Sequence, residues 1–136
     1  MKLVYPAIFS PLDNNDGYCV TVPDLPGCVT EGENLSHSIT MAVDAASGWV
    51  LDELEDGNLV PEASKIKDIK TENTDDFVSL IVLDMDEYIE KFGKKAVRKN
   101  CTIPAWLNTI CENADINFSA VLQDGLMDQL NLNYKL

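Results

Sequence analysis

The sequence predicts an α+β protein made of two unlike units, and three observations carry that prediction. Residues 1–90 alternate short apolar segments of period two with one long segment of helical period, in the order β-β-β-α-β. Residues 97–130 follow a different plan, one short extended segment and then two amphipathic helices. Charge divides the chain in the same place. Residues 1–90 hold four lysines against nineteen carboxylates, a net −15, and residues 91–136 hold six cations against four carboxylates, a net +2. Together they make the −13 of the 136-residue chain.

Taken in order, Lys2 to Phe9 alternates as a strand, and Pro6 places it at a sheet edge or a bulge because proline offers no ladder N–H. Asn14-Asn15-Asp16-Gly17 is a turn, and Tyr18 to Val22 returns as the second arm of a hairpin. The prolines and glycine of Pro23-Asp24-Leu25-Pro26-Gly27 break the ladder before a short third strand, Cys28 to Gly32. Asn34 then caps a helix whose apolar positions are Leu35, Ile39, Ala42, Val43, Ala46, Val50 and Leu54, weakened at Gly48 and closed at Gly57. Asn58 to Asp76 is polar and reads as a surface connection. Phe77 to Leu83 is a nearly unbroken apolar run, the pattern of a central strand covered on both faces. Met85, Tyr88, Ile89 and Phe92 mark a linking helix over 85–92 that ends at Gly93. The expected division is therefore 1–90 and 91–136.

In the rear unit, Pro104 should end a strand and open a helix, since it lacks an N–H and forces Ile103 toward extended geometry. Upstream, Cys101 and Ile103 face one way and Arg98, Asn100 and Thr102 the other. Downstream, Ile103, Trp106, Leu107, Ile110 and Ala114 form one helical stripe. The next helix starts at Asn117, with Ile116 and Val121 as a hydrophobic staple, and carries Phe118, Val121, Leu122, Leu126 and Leu130. A strand and two helices in under forty residues cannot bury a core alone, and the strand has no partner in its own module. Two chains pairing these strands would solve both problems. The order and spacing resemble the ribbon-helix-helix family of DNA-binding dimers, which implies a two-stranded ribbon in the major groove. Arg98, Asn100 and Thr102 are then the base-contacting residues. Lys94, Lys95 and Lys99 contact phosphates, and the backbone N–H groups of Asn117, Phe118 and Ser119 hold another at a helix N-terminus.

The acidic front argues against nucleic-acid binding there, because phosphate contacts need Lys and Arg, and it suits a basic protein partner. The N-terminus does not read as a signal peptide, and no stretch approaches the roughly 20 apolar residues of a membrane span, so a soluble cytoplasmic chain is expected. Cys19, Cys28, Cys101 and Cys111 form no C-x-x-C pair, and the lone His37 sits in a helix first turn, where capping suits it better than catalysis. Neither a metal nor another cofactor is implied.

Thr21 to Gly32 with its Asp24-Leu25-Pro26-Gly27-Cys28 loop, the alanine-bearing helix, the Phe77–Leu83 strand and the tail from Lys99 to Leu130 together resemble a HicB-type antitoxin along the whole chain. The resemblance implies a partial ribonuclease-H-like front domain that blocks a small basic HicA-type toxin, an mRNA-cleaving ribonuclease. It further implies a ribbon-helix-helix rear domain that represses the shared operon on operator DNA as a homodimer or a tetramer. The loop Asp24, Leu25, Pro26 and Gly27 is the candidate toxin contact. Two other readings compete: a stand-alone ribbon-helix-helix regulator with a sensing front domain, and a metal-dependent nuclease using Asp24, Glu31 and Asp44.

Overall fold

A computed structural model describes residues 1–13, 16–93 and 96–131. Contacts divide the chain into two units, Met1–Tyr88 and Ile89–Leu136. Unit 1 contains β1 (Lys2–Pro11), β2 (Tyr18–Thr21), β3 (Val29–Gly32), α1 (Leu35–Glu55), a 3-10 turn at Ile66–Asp68, β4 (Phe77–Asp84) and the first half of α2 (Met85–Phe92). The strands form one antiparallel sheet in the order β3-β2-β1-β4. The β-β-β-α-β order expected from periodicity is present.

Strand placement corrects two expectations. β4 is an edge strand, not a central one, and its burial alternates: Ile81 and Leu83 are buried while Leu80 and Val82 are exposed. Its apolar run is continuous although only one sheet face is packed by α1. β1, expected at an edge or a bulge because of Pro6, is not an edge strand and lies between β2 and β4. The proline is tolerated because β2 pairs only with Ile8 to Pro11, so no β2 residue stands opposite Pro6.

α1 packs on β2, β3 and β4. The buried set joins Tyr5, Ala7 and Phe9 of β1, Val20 of β2, and Ile81 and Leu83 of β4 to Ala42, Ala46, Val50 and Leu51 of α1. The helix is therefore turned away from the stripe read in the sequence, leaving Leu35 and Ile39 exposed and burying Ser38 and Ser47. Ser38 can be buried because its Oγ donates to the Asn34 carbonyl at 2.7 Å. The small side chain also admits the β3 backbone. A Cβ on Gly32 would stand 2.5 Å from Ser38 Cα and 2.6 Å from its Oγ. At Gly48 the space is tight but less so, since a Cβ there would meet only the Tyr88 hydroxyl of α2, at 3.1 Å.

Both ends of α1 follow their capping residues. Asn34 Oδ1 accepts from His37 N–H at 2.9 Å, and His37 Nδ1 accepts from Glu33 N–H at 3.0 Å, a reciprocal cap with histidine in the place usual for glutamate. At the other end Gly57 takes φ +76°, Gly57 N–H donates to the Leu54 carbonyl and Asn58 N–H to that of Glu53, the pair of bonds of a Schellman cap.

Unit 2 contains α3 (Ala105–Asn113) and α4 (Phe118–Gln129). Asn117 caps α4 as expected, its Oδ1 accepting from Ala120 N–H at 3.1 Å. Asp115, at φ +57°, makes the corner between them, with Asp115 N–H donating to Glu112 and Ile116 N–H to Cys111. Residues 96–104 form no strand, which departs from the expected ribbon. A strand is defined by a ladder, and among the described residues of one chain nothing pairs with this segment.

Candidate partner-binding and nucleic-acid-binding surfaces

The Asp24 loop is built as a brace. Leu25 N–H donates to the Val22 carbonyl, Cys28 N–H to that of Leu25 and Val22 N–H to that of Cys28, with Gly27 at φ +80° closing the turn. Leu25 is fully buried, and burial pushes the Cys28 thiol pKa up. The Asp24 carboxylate accepts from Ser64 N–H at 2.9 Å and from Ser64 Oγ at 2.5 Å. Trp49 Nε1 of α1 donates to the Pro26 carbonyl at 2.9 Å, and Tyr5 donates its hydroxyl to the Pro61 carbonyl at 2.6 Å. The loop thus clamps the chain leaving α1 against the sheet. Of the four candidate contact residues, Pro26 and Gly27 are exposed, Leu25 is enclosed and Asp24 is already engaged. Sequence reading singled out this loop by its prolines but missed Trp49, Ser64 and Tyr5, whose partners lie 23, 40 and 56 residues away.

Asp24, Glu31 and Asp44 are not gathered into one site. The ladder pairing Thr21 with Val29 and Cys19 with Glu31 sets Glu31 near the opposite end of β3 from the Asp24 loop. Among the described residues, no group of three or more His, Cys, Asp or Glu side chains could hold a metal ion.

In unit 2, Arg98, Asn100 and Thr102 are exposed. Lys99, Cys101 and Ile103, the residues between them, line a groove of about 650 Å³ with Leu107 and Cys111 of α3 and Val121 of α4. Alternation along 98–103 is therefore kept without a ladder. It places Lys99 on the groove side, opposite to the three residues assigned to bases. Neither α3 nor α4 contains a buried residue, and Trp106 is 65 % exposed. At the start of α4, Asn117 takes the Ala120 N–H, leaving the N–H groups of Phe118 and Ser119 in the first turn, where a helix has no acceptor of its own. Lys94 and Lys95 lie outside the described residues.

Residues 5–121 match the family model of the HicB_like antitoxin of bacterial toxin-antitoxin systems. The chain belongs to this family. An uncharacterized 14.9 kDa protein from the rep-hol intergenic region of Haemophilus phage HP1 is 33 % identical to this HicB-like chain over 105 residues, 77 % of this chain and 76 % of the phage protein. A toxin-antitoxin complex from Streptococcus pneumoniae contains a chain of similar structure, with a TM-score of 0.62 and 26 % identity over 95 % of this chain and 99 % of that one. The antitoxin HicB of Burkholderia pseudomallei shares the fold, with a TM-score of 0.55 and 24 % identity, covering 95 % and 97 % of the two chains. Among the described residues, no helix is long and apolar enough to cross a membrane.

Proposed function

We propose that this HicB-like chain neutralises a HicA-type ribonuclease toxin through unit 1 and, as a homodimer joined through unit 2, represses its own operon. The observation that carries the reading is the division of charge and apolar surface between two units, the second of which buries no residue of its own two helices. Residues 1–90 carry the −15 charge that a small basic toxin complements, and residues 91–136 carry the excess of cations that phosphates require. The exposed faces of α3 and α4 suit interlocking with a second copy. That pairing also supplies residues 98–103 with the ladder they lack, presenting Arg98, Asn100 and Thr102 as one outward row. Lys94 and Lys95, with the first turn of α4 at Phe118 and Ser119, complete the phosphate contacts.

The test uses the full chain against two ligands, the product of the small adjacent gene and the DNA upstream of its own reading frame. Arg98→Ala and Asn100→Ala should each weaken specific DNA binding by about 1–3 kcal/mol and leave toxin binding unchanged. Equal loss of both activities would sink the two-module division. DNA binding without any toxin binding would favour a stand-alone regulator.

A further inference from the structure

The sheet of unit 1 is covered by α1 on one face, and its opposite face is apolar. Ladder register assigns that face. Val4 pairs with Val82, Pro6 with Leu80, and Ile8 with Val78. The last row continues from Ile8 to Thr21 of β2 and then to Val29 of β3. These positions alternate with the buried Tyr5, Ala7, Phe9, Ile81 and Leu83, so they lie on the face turned away from α1, where Pro6 is fully buried and Ile8, Thr21 and Val78 are half-buried. Val4 is 43 % exposed, Leu80 52 %, Val82 53 % and Val29 55 %. The exposed aliphatic side chains are thus gathered on the β1–β4 side of the sheet, with Val29 exposed at the far edge on β3. The ends of this face carry Asp84, paired with Lys2, and Glu31, paired with Cys19.

An exposed aliphatic patch such as Val4, Leu80 and Val82 on a folded unit marks an interaction site. Its occupant is constrained by charge. A second copy would bring another front segment of net −15 face to face with this one, so self-association here works against like-charge repulsion. A basic partner gains on both counts. It buries the aliphatic patch while its Lys and Arg side chains are drawn to the net acidic charge of the front segment.

We propose that this open sheet face, centred on Val4, Leu80 and Val82, is the surface on which unit 1 docks its basic toxin. The inference rests on the antitoxin reading above and assigns that reading a surface distinct from the Asp24 loop. Val4, Leu80 and Val82 supply apolar contact, and the net acidic charge of the front segment supplies steering.

The experiment is calorimetric titration of the full chain with the HicA-type protein encoded beside its gene, comparing wild type with Leu80→Ser/Val82→Ser. Both positions are half exposed, and circular dichroism and melting check the fold. Val4→Thr, nearly isosteric, serves as the second variant. The double variant should bind roughly tenfold weaker or worse, and its heat-capacity change on binding should be less negative, since less apolar surface is buried. Val4→Thr should show a smaller loss in the same direction. Unchanged affinity in both variants, with wild type binding, would overturn the surface and leave the antitoxin reading standing. Loss of an oligomer of the free chain on Leu80→Ser/Val82→Ser, with toxin affinity kept, would assign the face to a second copy and overturn the proposal. No binding by wild type would overturn both.

Discussion

Gly32, Ser38, Asn34 and His37 show how much of unit 1 is decided by single side chains. Gly32 is glycine because the β3 backbone presses on the first turn of α1, and Ser38 is serine because its hydroxyl returns to the Asn34 carbonyl. Gly32→Ala should destabilise the protein by about 1–3 kcal/mol through overpacking, seen as a lower urea midpoint with an unchanged slope. An unchanged midpoint would mean that the strand and helix separate more easily than their packing implies. Asn34 was legible as a cap because a capping residue acts within three positions of itself. Gly32 was not, since nothing local says which atoms will stand beside its Cα.

At the scale of elements, α3 and α4 carry the clearest unmet requirement. Their boundaries follow from Pro104, Asn117 and a 3.6-residue stripe, all local signals, yet nothing in them is buried. In the proposed dimer the exposed Trp106, Ile110, Val121 and Leu126 become a core, so thermal unfolding should shift upward with chain concentration. Val121→Asp should remove that shift by placing a charge in the groove it lines. A melting temperature independent of concentration would count against the dimer. The same reasoning explains the missing ribbon, because a ladder belongs to two segments and only one is present. β4 teaches a related lesson. Its unbroken apolar run suggested a fully enclosed strand, but half of that run lies on the open sheet face.

Across the whole molecule, the buried Tyr5 and the half-buried Tyr88 link stability to alkaline pH. Tyr5 has its pKa raised by burial and by the Asp24 carboxylate, and Tyr88 by burial and by Asp44 and Asp52. Each phenol is held neutral when folded and ionises more readily when unfolded. Their contribution is therefore fully present below the ordinary tyrosine value of about 10 and is lost as pH rises through the raised folded values. The phenols' share of the unfolding free energy should stay level up to about pH 10 and then fall, and Tyr5→Phe should make that fall shallower. An identical alkaline profile in Tyr5→Phe would show that Tyr5 takes no part in it.

What the sequence determined by itself is what depends on neighbours within a few positions. That includes the β-β-β-α-β order of the front and the two helices of the rear, the caps at Asn34, Gly57 and Asn117, the alternation from Arg98 to Ile103, and the opposite charges of front and rear. The tertiary structure alone decided which strand lies at the edge, which face of α1 is buried, that Leu25 and Asp24 serve the clamp to Ser64, and that one face of the sheet stays open. The reason is physical. Periodicity records that a residue lies on an apolar side, while strand order and packing are set by contacts between segments tens of residues apart, whose partners no local pattern names.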